Sequence, residues 1–106
     1  MFCLTKEPIL AYLSSIKEEL KQDGIVEVGL FGSYAKDRAD LASDIDIVIC
    51  SSKQFTQKFS DFAGAIYIDE LRKKISKHFK IQVDICDTFC MSDERKQYLL
   101  SEAIYV

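Results

Sequence analysis

A chain of 106 residues holds one domain and one modest core. Its apolar fraction of 48% excludes an extensively disordered protein. Its net charge of −3 excludes a broad nucleic-acid footprint and leaves room only for a local patch that binds a single nucleotide. No apolar run approaches a membrane span, and the N-terminus lacks the basic region and long apolar stretch of a signal peptide. A cytoplasmic protein with no membrane partner is the default expectation.

The single proline, Pro8, stands where a helix can begin, with Thr5 or Glu7 ahead of it as the cap. Ile9, Leu13, Ile16 and Leu20 recur at helical spacing and predict one buried face. Asp23-Gly24 ends that helix, glycine suiting the left-handed terminal position. Residues 25–31 read as a strand in which Val26, Val28 and Leu30 alternate with Glu27, Gly29 and Phe31. Gly32-Ser33 breaks the strand, and residues 34–40 read as a short helix or turn. Residues 45–50, rich in β-branched side chains, predict a second strand.

Residues 55–64 read equally as loop or short helix. Ile68, Leu71, Ile75 and Phe79 form the stripe of a further helix. Residues 80–86 predict a third strand with Ile81, Val83 and Ile85 on one face. Ser92 can cap a last helix, with Asp93 and Glu94 at its positive end and Leu99, Leu100 and Ala103 as its buried side. Residues 104–106 predict a short final strand. The pattern suggests a small sheet covered by helices.

The four cysteines, Cys3, Cys50, Cys86 and Cys90, form no C-x-x-C pair, and His78 is the only histidine. They read as reduced thiols used as small apolar residues, in preference to a zinc site.

The chemistry is concentrated in residues 32–46. Residues two apart on a strand share a face, so Asp44 and Asp46 stand side by side at the start of an apolar strand. Like charges that close are unfavourable unless a cation lies between them, and carboxylate oxygens suit Mg²⁺. Taken alone, the pair reads first as two solvated aspartates. Asp84 lies between Val83 and Ile85 and points away from the core, flanked by Gln82 and Cys86. If the second and third strands are neighbours, three carboxylates converge, as a two-metal phosphoryl-transfer site requires. If they are not, Asp84 is a salt-bridged surface residue.

Gly32 lets the backbone approach a ligand, and Ser33 with the following amides opens a helical turn suited to an anion. Gly-Ser alone is an ordinary turn. Gly-Ser followed after ten residues by Asp-x-Asp arises by chance in a chain this long about once in a thousand, at roughly 6% usage per fixed residue.

These residues resemble the minimal nucleotidyltransferases of the DNA polymerase β superfamily. The family pattern is Gly-Ser, a short helix usually carrying Ala-Arg-Gly, then Ser-Asp-x-Asp. Here it reads Gly32-Ser33-Tyr34-Ala35-Lys36-Asp37, then Ser43-Asp44-Ile45-Asp46, with Asp84 matching the later carboxylate. The resemblance covers roughly residues 7–106. It implies an α+β fold, a small mixed sheet of the polymerase β palm type flanked by helices mainly on one side, in a single domain over 1–106. It also implies transfer of a nucleoside monophosphate from ATP to an acceptor hydroxyl. Asp44, Asp46 and Asp84 would hold two Mg²⁺ ions, and Asp84 would help activate the hydroxyl. Gly32 and Ser33 would hold the β- and γ-phosphates, with Lys36 and Arg38 as further candidates for phosphate contact.

Two departures from the pattern stand out. Lys36 replaces an arginine, and Asp37 replaces a glycine and brings negative charge near the phosphates.

The 106 residues match the core alone, so the acceptor is expected to be small or carried by a partner. Stand-alone members resemble antitoxins paired with a helical HEPN-domain toxin, inhibited by docking or by adenylylation of a tyrosine. Two other readings stay open: an antitoxin that acts by docking alone, and a small-molecule nucleotidyltransferase working as a homodimer.

Overall fold

The computed structural model describes residues 4–40, 42–89 and 91–106, without the side chain of Leu100. Cys3, Cys90 and the expected burial of Leu100 lie outside that description. Helix α1 (Lys6–Gln22) buries Ile9, Leu13, Ile16 and Leu20, as their spacing predicts. Thr5 occupies the N-cap position, but its side chain makes no capping bond. Pro8 falls in the first turn, where a missing N–H leaves no helical bond unmade. Gly24, at φ +100°, turns the chain out of the helix.

The first strand, β1 (Glu27–Phe31), starts later than expected. The Ile25 amide still donates to the Leu20 carbonyl of α1, at 2.9 Å. That bond turns Ile25 into the core and leaves Val26 47% exposed, so the expected alternation holds only from Val28 onward. Helix α2 (Gly32–Ala35) follows with no intervening loop and is shorter than residues 34–40 allowed. Strand β2 (Ile45–Cys50) matches its expected range.

The ambiguous stretch resolves into α3 (Lys53–Lys58) and the start of α4 (Phe62–Phe79). Leu71 and Ile75 are buried, and Ile68 and Phe79 pack against the core from its margin. Lys80 ends α4 in a left-handed conformation, φ +58°, so β3 spans only Val83–Asp87. In α5 (Asp93–Glu102) the Ser92 hydroxyl accepts the Arg95 amide at 3.4 Å, the cap the sequence predicts. Strand β4 (Ile104–Tyr105) closes the chain.

The sheet is mixed, in the order β3-β2-β1-β4. Strand β1 pairs antiparallel with β2 and β4, while β2 and β3 are parallel. Helix α4 connects β2 to its parallel neighbour β3. Helix α5 connects β3 to β4, which runs the same way but lies three places along in the opposite direction. Right-handed crossovers therefore put α4 and α5 on opposite faces.

Burial agrees. Ile45, Ile47 and Ile49 of β2 join α1 and α4 in one continuous core. Val48 and Cys50 of β2, and Leu99 of α5, are buried outside it. Asp23 at the end of α1 accepts bonds from Lys58 and Tyr67, each at 2.8 Å, and ties α1 to α3 and α4. These donors hold the Asp23 carboxyl below its ordinary value, and burial with the Asp23 bond pushes the Tyr67 phenol up. Cys50 and Cys86 are free thiols. Among the described residues no helix is long and apolar enough to cross a membrane.

Candidate active site

The parallel pairing of β2 with β3 sets Asp46 directly beside Asp84. Their neighbours Ile45, Ile47 and Val83 are fully buried in the main core, so the two carboxylates share the opposite face. Asp44 stands two residues before Asp46, just ahead of the strand. The intervening Ile45 amide donates to the Gln82 carbonyl at 2.9 Å and fixes the backbone there. Burial, then the charges of Asp84 and Asp44, push the Asp46 carboxyl above its ordinary value.

None of the three carboxylates has a hydrogen bond or ion pair among the described residues, whereas Asp23, Asp37 and Asp69 are each ion-paired. A partly buried carboxylate beside two others, with no donor to satisfy it, suits a hard cation with oxygen ligands. Among the described residues no three acidic, histidine or cysteine side chains are drawn into a ready-made metal cage. Mutual repulsion opposes such closure without a cation, and Mg²⁺ retains waters and takes phosphate oxygens as further ligands.

The raised Asp46 carboxyl has a measurable sign. Ionising it costs more in the folded state than in the unfolded state. The metal-free protein should therefore gain stability as pH falls from neutrality through the raised value towards that of an ordinary carboxylate. Below that window Asp23 is protonated, and its contribution, present above the ordinary value, is lost. Urea melts across pH should show a mildly acidic maximum, and Asp46→Asn should flatten its neutral side. A wild-type profile with no such rise would contradict the assignment.

Gly32 lies against Asp46. At φ +76° its backbone is left-handed. A Cβ placed there would run into Asp46 Oδ2, with Cγ at 3.1 Å and Cβ at 3.2 Å. The close approach that calls for a glycine is thus to the carboxylate itself. Ser33 occupies the first turn of α2, partly exposed and outside the core.

The other expected phosphate contacts differ from one another. Lys36 Nζ is ion-paired with Glu102, the last residue of α5. Arg38 is exposed, and its amide closes α2 by donating to the Ser33 carbonyl at 2.8 Å. Asp37 takes the left-handed position after the helix, φ +57°, which explains why a glycine is usual there. Its carboxylate pairs with Lys6 at 2.7 Å, so its charge is engaged by α1.

Asp40 and the pattern's Ser43 have a role here that the sequence reading did not assign. Asp40 Oδ1 accepts the Ala42 amide at 2.9 Å, and the Ser43 hydroxyl accepts the Asp40 amide at 3.0 Å. Together they close the turn that delivers Asp44. The signal was present as an Asp with a Ser three residues on, a pattern that favours side-chain-closed turns.

Helix α5 runs over the same face as the carboxylates. Cys86, two residues after Asp84, is pushed up by burial and opposed by the charge of Arg95, in the first turn of α5. The far end of α5 meets α2 through the Glu102–Lys36 pair. Asp46 and Asp84 therefore share the sheet face on which α5 packs, and the Glu102–Lys36 pair ties α5 to α2.

Several known proteins are similar to this chain. The family model described as nucleotidyltransferase domain matches residues 13–106. The chain is 28% identical over 107 residues, all of both proteins, to the protein adenylyltransferase MntA of Thermococcus cleftensis. Among solved structures it resembles a candidate minimal nucleotidyltransferase, with TM-score 0.72, 22% identity and 95% of each chain covered. It also resembles a chain of a toxin–antitoxin crystal structure with AMP-PNP, with TM-score 0.63 and 23% identity over 87% of this chain and 69% of that one. Since the family match takes in the Gly-Ser turn, the Asp-x-Asp strand and Asp84, the chain belongs to the nucleotidyltransferase domain family.

Proposed function

We propose that this nucleotidyltransferase is Mg²⁺-dependent and moves AMP from ATP to a hydroxyl of a partner protein, a helical HEPN-type toxin that it restrains as an antitoxin. The observation that carries the reading is the set of Asp46 and Asp84, paired on one face beside the Gly32-Ser33 turn, with Asp44 close enough to act on Asp46, and none of the three with a cationic partner among the described residues. The relative named as a protein adenylyltransferase supports AMP as the group moved. The toxin–antitoxin structure with AMP-PNP supports a toxin as the acceptor.

Asp44 and Asp46 would hold two magnesium ions, with Asp84 completing the second position. Bound there, the ions would supply charge neutralisation for an in-line displacement. Asp84 orients the acceptor hydroxyl and draws on its proton. The hydroxyl oxygen then bonds to the α-phosphorus as the bond to the bridging oxygen breaks, and pyrophosphate leaves. The first amides of α2 and the Ser33 hydroxyl hold the β- and γ-phosphates. Lys36 reaches phosphate only by exchanging Glu102 for it, whereas Arg38 needs no such exchange. The ion pair of Asp37 with Lys6 partly offsets the negative charge that spoke mildly for docking without catalysis.

Ser33→Ala should raise KM for ATP by roughly tenfold or more, the worth of one hydrogen bond to a charged group, with the melting temperature unchanged. An unaltered KM would remove Ser33 from the site.

The test of the whole reading is incubation with labelled ATP, Mg²⁺ and the partner, beside thermal melts with and without Mg²⁺-ATP. Label should pass to the partner. Ligand at 100 times its Kd should add about 2.7 kcal/mol of stability. No shift at millimolar Mg²⁺-ATP would refute nucleotide binding. A shift without transfer, together with full neutralisation of the toxin, would leave docking as the function.

A further inference from the structure

The helix layer on the far side of the sheet carries a pattern that the proposed chemistry does not use. Helix α4 turns Gly64, Leu71 and Ile75 inward. Phe62, Ile66, Glu70, Lys73 and Lys77, spaced four, four, three and four residues apart, form a stripe on its outer side. Phe62 is 81% exposed and Ile66 60%, far more than isolated surface residues of a core-packing helix need be.

Beside the stripe, between α1 and α4, runs a groove of about 370 Å³. Ile16, Leu20, Tyr67 and Leu71 floor it, and Glu19 and Lys74 stand at its rim.

Charge along α4 is segregated. Asp61, Asp69 and Glu70 lie in or just before its first half, and Arg72, Lys73, Lys74, Lys77 and Lys80 in or just after its second. Glu70 and Lys77 make no ion pair among the described residues. A surface with its apolar residues and acids at one end and its bases at the other complements itself when turned by 180°. Antiparallel packing of two such helices sets each acidic half against the other's basic half. It also brings each Ile66 over the aliphatic lysine stems and groove of the opposing copy. A parallel arrangement would oppose like charges.

We propose that α4 is the two-fold interface of a homodimer, each copy seating Phe62 and Ile66 against the α1–α4 groove of the other. The carboxylates lie on the opposite face of the sheet, so both sets stay uncovered by the dimer contact. This inference is independent of the proposed adenylyl transfer.

Light scattering on the purified chain alone, at low salt, should give twice the 12.1 kDa chain mass. Replacing Phe62 and Ile66 together by Ser should weaken self-association by about tenfold or more. Glu70→Lys should also weaken it, and Glu70→Lys combined with Lys73→Glu should restore it, because with each Ile66 over the opposing Lys77 stem the two-fold sets Glu70 against Lys73 of the other copy, and the swapped charges meet again. All four side chains are exposed, so circular dichroism melts should match wild type, and transfer per chain should be unchanged. A chain that stays monomeric at high concentration overturns the proposal and leaves the stripe to a different protein. A dimer indifferent to both sets of variants overturns it as well.

Discussion

Asp46→Asn should abolish nucleotide transfer, lowering kcat/KM by on the order of 10³-fold, while the protein stays folded. Asn has nearly the outline of Asp and fits in the same space beneath Gly32. The central strand, with Ile45 and Ile47 fully buried on either side, keeps its packing. What changes is charge: one carboxylate oxygen becomes an amide, and the magnesium ions of the proposed function would lose their shared ligand. The same change relieves the repulsion that raises the Asp46 carboxyl, so at neutral pH the metal-free variant should melt at or slightly above the wild-type temperature. A transfer assay beside a melting curve and a partner pull-down reads all three quantities. Wild-type transfer by the variant would refute the metal role. Lost transfer with undiminished toxin neutralisation would show that docking is enough.

Gly32→Ala should damage both stability and activity, for separable reasons. A left-handed residue with a side chain costs about 1–2 kcal/mol more than glycine. That loss should appear in urea melts whether or not Asp46 is present. The new methyl group also occupies the place of Asp46 Oδ2, so the carboxylate must rotate away from Gly32 and out of its present position. Displacement of a reacting group by about 1 Å can reduce rate about 10²-fold, and a loss of that order is expected in kcat. In Asp46→Asn the added Gly32→Ala change should leave the residual rate almost unaltered, because the group it displaces has already lost its function. If Gly32→Ala retains full transfer, the contact with Asp46 has no catalytic consequence.

The sequence made the active strand easy to find. Ile45–Cys50 is bounded by aspartates on one side and serines on the other, and its β-branched run leaves one reading. The carboxylate pair Asp44 and Asp46 followed from period two alone. Placing Asp84 beside them required knowing that β3 neighbours β2, which depends on the handedness of a crossover rather than on any local signal.

Local patterns also hid the boundaries. Ile25 looks like the first residue of a strand, yet its amide is claimed by the end of α1. Lys80 looks like a strand residue, yet it ends α4 in a conformation usual for glycine. Lys36 could be read as a candidate phosphate contact, but Glu102, sixty-six positions away, could not be foreseen as its partner. Pairings across such separations arise from tertiary packing, to which spacing rules are blind.

Strand β2 is hydrogen-bonded on both sides, and Asp46 rides on it. Backbone amides in such a doubly paired strand exchange with solvent only when the whole domain opens, whereas a four-residue helix such as α2 can fray on its own. Asp46 and the Gly32-Ser33 turn thus belong to different tiers of local stability. On the proposed function, triphosphate would be admitted and released through fluctuations of the turn, while Asp46 keeps its position on the strand.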